Sequence, residues 1–226
     1  MMNKARMAGV FYLLTFVTGI FALLTSGKLV VSGDAAATAT NILAHESSFW
    51  SGFTCQLLAS ACYVAVTALF YDLFKPVNRG LSLLAALFSL VGCAVGAVSL
   101  VFQLAPLIIL RGAQYSSVFK VEQLQALALM FFKLSGQGNN IGLVFFGFYC
   151  LLIGYLIFRS TFLPRVLGAV MMVAGLGWLT FLSPPLANLL SPWNMAPGIL
   201  GEALLTLWLL AMGVSDRRWK EQASIG

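Results

Sequence analysis

Six long apolar runs, separated by shorter polar stretches, make up most of the 226-residue chain. About 20 apolar residues are enough for an α-helix to cross a hydrocarbon core roughly 30 Å thick. The pattern therefore predicts an all-α membrane protein, a bundle of six transmembrane helices in a single domain, 1–226. The predicted spans are 7–26, 49–74, 81–110, 139–158, 166–182 and 197–213.

The third run, 81–110, is long for one crossing, and the sequence leaves two interpretations open. The helix is either tilted in the membrane or broken near Pro106, since proline removes a backbone donor from the helical ladder.

Two of the polar stretches are long enough to hold helices of their own. Asp34 is a suitable N-cap for a short helix over 35–44, and Glu122 lies near the start of an amphipathic segment, 121–134. We expect both to be short interfacial helices in the outward-facing loops, lying on the membrane surface.

The composition excludes an ordinary soluble domain, because 60% of the residues are hydrophobic, only 9% are charged and the mean hydropathy is +0.94. The net charge of +6 does not indicate nucleic acid, since the basic residues lie at the ends of the runs. An even number of spans puts both termini on one side of the membrane, and the excess of basic residues there predicts that this side is the cytoplasm. Those basic residues are Lys4, Arg6, Lys75, Arg79, Arg159, Arg165, Arg217, Arg218 and Lys220.

No cofactor or metal site is predicted. Cys55, Cys62, Cys93 and Cys150 lie inside apolar runs without a C-x-x-C spacing, which is typical of small packing residues. His45 is the single histidine of the chain, and one histidine makes a poor metal site.

One acidic residue stands out, because Glu202 is the only charged residue between Arg165 and Asp216. A carboxyl group in hydrocarbon costs several kcal/mol unless it is protonated, paired or hydrated. Amides at similar depth can donate to a carboxyl group and accept from it. We therefore predict a polar pocket toward the outer leaflet, formed by Glu202, Gln56, Gln103 and Asn140, with Tyr63 deeper in the bundle.

Three functions are the main alternatives for this pocket, and a channel or proton path is a fourth. The first is binding or moving a small apolar or amphiphilic molecule, such as a membrane lipid. The second is an intramembrane enzyme with Glu202 as general acid or base, assisted by His45. The third is a structural or assembly partner, which includes a homo-oligomer held by glycine-rich helix faces. A protonated, hydrogen-bonded packing residue is the simplest alternative for Glu202 itself.

Several segments resemble a known bacterial family, domain of unknown function 4386 (DUF4386). They include Ala5-Arg6-Met7-Ala8-Gly9, Gly33-Asp34-Ala35-Ala36-Ala37-Thr38, Lys75-Pro76-Val77-Asn78, Gln123-Leu124-Gln125-Ala126, Pro164-Arg165-Val166-Leu167-Gly168 and Gly201-Glu202. The similarity covers nearly the whole chain. It implies a small multi-spanning protein of the bacterial cytoplasmic (inner) membrane, and it implies no activity.

Overall fold

The computed structural model describes residues 1–224, which form α-helices joined by short turns and contain no β-strand. The helices within this range are α1 Met2–Ser26, α2 Ala35–Ala44, α3 Glu46–Phe74, α4 Arg79–Arg111, α5 Ala113–Ser116, α6 Val121–Arg159, α7 Arg165–Leu179, α8 Pro184–Leu190, α9 Met195–Ala211 and α10 Asp216–Ala223.

The helices are those of a multi-pass membrane protein, as the apolar runs predicted. Five stretches of residues 1–224 are long and apolar enough to cross a membrane: Met2–Leu29, Glu46–Phe74, Arg79–Arg111, Val121–Arg159 and Arg165–Leu182. The consecutive helices α8 and α9 meet at a bend of 78°. They give a sixth crossing if the pair counts as one broken span. The described residues therefore provide five or six crossings, and the predicted six is the larger of these counts.

The second predicted interfacial helix is not a separate element. Residues 121–134 and the predicted span 139–158 belong to one continuous helix, α6, whose 39 residues extend about 58 Å. Between these two segments, Gly138 serves a close helix contact. A Cβ atom on Gly138 would lie 2.1 Å from the Ser99 hydroxyl oxygen, so the missing side chain lets α4 and α6 approach each other there.

A short helix, α2, is present where the first interfacial helix was predicted, and its location at the membrane surface stays a prediction. The Asp34 carboxylate accepts a hydrogen bond from the backbone N–H of Ala37 at 2.9 Å, as expected of an N-cap. Helix α4 runs through Pro106 without a break. Two further short helices, α8 and α10, lie outside the predicted spans and the predicted interfacial helices.

The chain divides into two compact units. The first contains Met1–Leu14, Ala61–Ala94 and the chain from Asn140 onward, and the second contains Thr15–Ser60 and Val95–Asn139. Helices α1, α3, α4 and α6 each contribute residues to both units, whereas α7 to α10 belong to the first.

The second unit has an apolar core of Leu29, Ile42, Phe49 and Leu107. An ion pair between Glu46 and Arg111 joins the start of α3 to the end of α4.

In the first unit, the C-terminal helix α10 is attached to the other helices by polar contacts. The Trp219 indole donates to the backbone oxygen of Leu73 at 2.9 Å, and the Asp216 carboxylate accepts from the backbone N–H of Met2 at 2.7 Å. Lys4 and Lys75 both bind the Asp72 carboxylate, at 2.5 and 2.8 Å.

Candidate functional site

Glu202 lies in the interior of the first unit, and its side chain points into the bundle. The residue is 7% exposed and sits on α9, one turn before Thr206, whose hydroxyl donates to the Glu202 backbone oxygen at 2.7 Å. A carboxylate in this position needs donors on both of its oxygens.

Four other helices supply those donors. Tyr12 of α1 and Tyr63 of α3 donate to Oε2 at 2.6 and 3.2 Å. Trp178 of α7 donates its indole N–H to Oε1 at 2.8 Å, and the Cys150 thiol of α6 makes a longer contact of 3.8 Å with the same oxygen. The carboxylate is thus the point where five helices of the unit meet.

The two carboxylate oxygens have different chemistry. An indole N–H can only donate, so Trp178 fixes Oε1 as an acceptor. The tyrosine hydroxyls near Oε2 can donate or accept, and they lie 3.2 Å from each other. A proton bound to the carboxyl group would therefore be carried by Oε2 and shared with Tyr12.

Glycines allow the helices that carry these donors to pack closely. A Cβ atom on Gly198 would lie 2.2 Å from the Trp178 ring, so the indole can rest against α9 one turn before Glu202. On the other side of α7, a Cβ atom on Gly168 would lie 2.6 Å from the carbonyl oxygen of Gly154 in α6. The backbones of α6 and α7 therefore touch, which holds Cys150 and Trp178 on adjacent helices.

Aromatic rings surround the carboxylate. The ring centroids of Tyr12 and Tyr63 are 5.4 Å apart in a T-shaped arrangement, and Phe146 lies 4.6 Å from Tyr63. Tyr149 lies 6.0 Å from Tyr63. Its hydroxyl is fully buried and has no hydrogen-bond partner within residues 1–224. An unpaired buried hydroxyl is unusual, because it costs roughly 1–3 kcal/mol.

The residues predicted from the sequence are distributed over both units. Glu202, Tyr63 and Asn140 belong to the first unit, and the structure brings Tyr63 into contact with Glu202. Gln56 and Gln103 are half-buried residues of the second unit, on α3 and α4, and Asn140 is half-buried on α6. A role for these three amides in binding a ligand stays a prediction.

Sequence reasoning did not identify Tyr12, Trp178 and Cys150 as partners of the carboxylate. For Tyr12 a signal was present, since it shares a helical face with the small residue Ala8, and both are fully buried. His45, the suggested catalytic partner, is an exposed residue of the second unit whose Nδ1 lies 3.2 Å from the Asn41 backbone oxygen.

A search against protein families agrees with the resemblance seen in the sequence. The family described as domain of unknown function, DUF4386, matches residues 7–213. The chain belongs to the DUF4386 family. A protein of Archaeoglobus fulgidus named "Uncharacterized protein" is 27% identical over 153 residues, which cover 66% of this DUF4386 protein and 76% of that relative. No solved structure matches the chain.

Proposed function

We propose that this DUF4386 protein binds a small amphiphilic molecule that carries a protonated amine, and moves it within the membrane, with Glu202 as its polar contact. One observation carries the proposal. The buried carboxylate accepts hydrogen bonds from neutral groups, and among the ion pairs of residues 1–224 none includes Glu202. A charge buried in this way lacks a counter-charge, which a cationic ligand would supply.

The surrounding rings support a cationic rather than an anionic ligand. Tyr12 and Tyr63 donate their hydroxyls to the carboxylate, and the Tyr149 ring lies 6.0 Å from that of Tyr63. An aromatic ring attracts a positive charge that lies over its face within about 6 Å. A carboxylate with aromatic rings beside it is suited to an ammonium group, while the apolar helices suit an attached alkyl chain.

The contacts within the cluster indicate where the ligand would bind. Tyr63 makes the longer of the two hydrogen bonds to Oε2, 3.2 Å against 2.6 Å for Tyr12, so it is the donor that an ammonium group replaces most readily. Tyr149, whose hydroxyl is unpaired, would provide an additional polar contact to the ligand.

The experiment compares two probes of equal chain length, octylamine and octanol, with the purified protein in zwitterionic nanodiscs. We expect octylamine to bind saturably and to raise the melting temperature of the protein. Octanol should bind with an affinity at least about tenfold lower. Glu202→Gln should weaken octylamine binding about tenfold or more, which is the effect of losing one charge-assisted contact.

Glu122→Gln is the matched control, since Glu122 is an exposed acid at the start of α6, and it should bind octylamine like the wild type. Equal binding of the amine and the alcohol, or wild-type affinity in Glu202→Gln, would refute the proposal.

The hydrogen bonds at Oε2 also support a second candidate, in which Glu202 belongs to a proton path within the membrane. A proton on Oε2 can pass to Tyr12 and from there to Tyr63, because the two hydroxyls are 3.2 Å apart. Proton flux into liposomes that contain the protein would then fall in Tyr12→Phe. A flux that equals that of protein-free liposomes would exclude this candidate.

We further propose that the protein lies in the bacterial cytoplasmic membrane with both termini in the cytoplasm. Nine of the 13 basic residues fall on the side of the termini if six crossings are made, which supports this orientation. A reporter that is active only in the cytoplasm, fused after the C-terminal helix, should be active. Activity of a reporter that works only outside the cytoplasm would reverse the orientation.

A further inference from the structure

Three arginines line one cavity at the turn between α6 and α7. Arg159 is the last residue of α6, Arg165 is the first residue of α7, and Arg218 reaches the same cavity from α10. The cavity has a volume of about 730 Å³ and lies in the first unit, among residues that are separate from the Glu202 cluster.

The positive charge of this cavity is not neutralised by the protein. Glu221 is the one acidic residue among the described residues that line it, and its carboxylate is already paired with Arg217 at 2.9 Å. The ion pairs formed within residues 1–224 include none of the three arginines. The three arginine side chains are exposed, and their net positive charge would attract an anion into the cavity.

The walls of the cavity are held in place by other contacts. The side-chain oxygen of Gln222 accepts hydrogen bonds from the backbone N–H and the hydroxyl of Thr161, at 3.0 and 3.1 Å, which ties α10 to the turn. Arg218 donates to the Thr161 backbone oxygen at 3.4 Å, and the Arg165 guanidinium lies 5.7 Å from the centre of the Phe158 ring. Arg165 and Arg218 thus have contacts that position them before any anion binds.

We propose that this cavity binds the phosphate group of an anionic ligand. The planar guanidinium fork matches the oxygens of a phosphate, and arginine is favoured over lysine at such sites. The turn lies where two membrane-spanning helices end, which is the level of lipid headgroups. The phosphate therefore comes from one of two sources, an anionic phospholipid or a water-soluble phosphate ester, and the proposal does not depend on any role of Glu202.

The test uses the full chain in a phosphate-free maltoside detergent, with phosphatidylglycerol and glycerol 3-phosphate as alternative probes. We expect saturable binding of at least one probe, measured by native mass spectrometry for the lipid and by calorimetry for the ester. Binding of phosphatidylglycerol alone identifies a lipid headgroup site, and binding of glycerol 3-phosphate identifies a site that also accepts soluble esters.

The variants decide whether the arginines are responsible. Arg165→Gln and Arg159→Gln should each weaken binding about tenfold or more, the loss of one charge-assisted contact. Lys220→Gln is the control, because it removes one charge from an exposed position of α10 that does not line the cavity, and it should weaken binding less than about twofold.

Thermal unfolding without ligand should show that each variant folds. If Arg165→Gln fails to fold, the binding affinity of Arg159→Gln tests the role of the arginines. The proposal is overturned if neither probe binds, or if the arginine variants lose no more affinity than Lys220→Gln.

Discussion

Three buried tyrosines around Glu202 differ in the hydrogen bonds that they make, so removing each hydroxyl should have a different effect on stability. Tyr12 donates to the carboxylate at 2.6 Å and Tyr63 at 3.2 Å, whereas the Tyr149 hydroxyl has no partner within residues 1–224. All three residues are less than 10% exposed, so the same change, Tyr→Phe, removes one oxygen from a similar environment in each case.

The magnitudes follow from the contacts. A hydrogen bond to a charged group contributes roughly 1.5–3 kcal/mol in soluble proteins, and interhelical bonds in membranes contribute about 0.6 kcal/mol on average and at most about 1.7. We expect Tyr12→Phe to lower the free energy of unfolding by about 1.5 kcal/mol and Tyr63→Phe to lower it by about 0.5 kcal/mol. Tyr149→Phe should raise it by about 1 kcal/mol, since it removes an unpaired polar atom.

The assay is thermal or denaturant unfolding of the purified variants in one detergent, followed by tryptophan fluorescence. For a chain of this size, 1 kcal/mol corresponds to a change of about 2–4 °C in the melting temperature. The order Tyr149→Phe, wild type, Tyr63→Phe, Tyr12→Phe, from most to least stable, is the expected result. A Tyr149→Phe variant that is destabilised as much as Tyr12→Phe would refute the assignment of hydrogen bonds.

The remaining predictions concern packing, capping and access. Gly168→Ala should destabilise the protein by about 1–3 kcal/mol, because its Cβ atom would lie 2.6 Å from the Gly154 carbonyl oxygen. Gly19→Ala should be neutral or stabilising in the same unfolding assay, because its Cβ atom would have no atom of the described part of the chain within 4 Å. Asp34→Ala should cost about 1 kcal/mol and speed hydrogen exchange within α2 alone, as measured by mass spectrometry. Cys150 is fully buried and should resist maleimide until the protein unfolds. Because Cys55 and Cys62 are only partly buried, the labelled site is identified by mass spectrometry, and labelling of Cys150 in the folded protein would contradict the packing around Glu202.

The sequence alone predicted a multi-pass membrane protein and singled out Glu202. Both predictions depend only on the polarity of the side chains along the chain and not on how the helices pack. A lone acid in a long apolar run must be buried against other groups or exposed to lipid at high cost, whatever the details of the bundle. The identity of its partners depends on the rotation of each helix about its own axis, which a weak pattern of small and polar residues does not determine. The polarity of the side chains was then the only guide to the partners of Glu202, and it favoured amides. Trp178 and Cys150 resembled ordinary residues of an apolar helix.

Glycine accounts for close helix contacts in both units. A membrane helix tolerates glycine where another helix needs to approach, and the Gly-x-Gly stretch 136–138 lies within the continuous helix α6. The contact of Gly138 with Ser99 in the second unit and that of Gly168 with Gly154 in the first both use a missing side chain in this way. The second contact sets the separation of the helices that carry Cys150 and Trp178, the two donors to Oε1. A methyl group at Gly168 should therefore disturb the hydrogen bonds of a carboxylate on a third helix, although its nearest neighbours would be backbone atoms of Gly154 and Phe158.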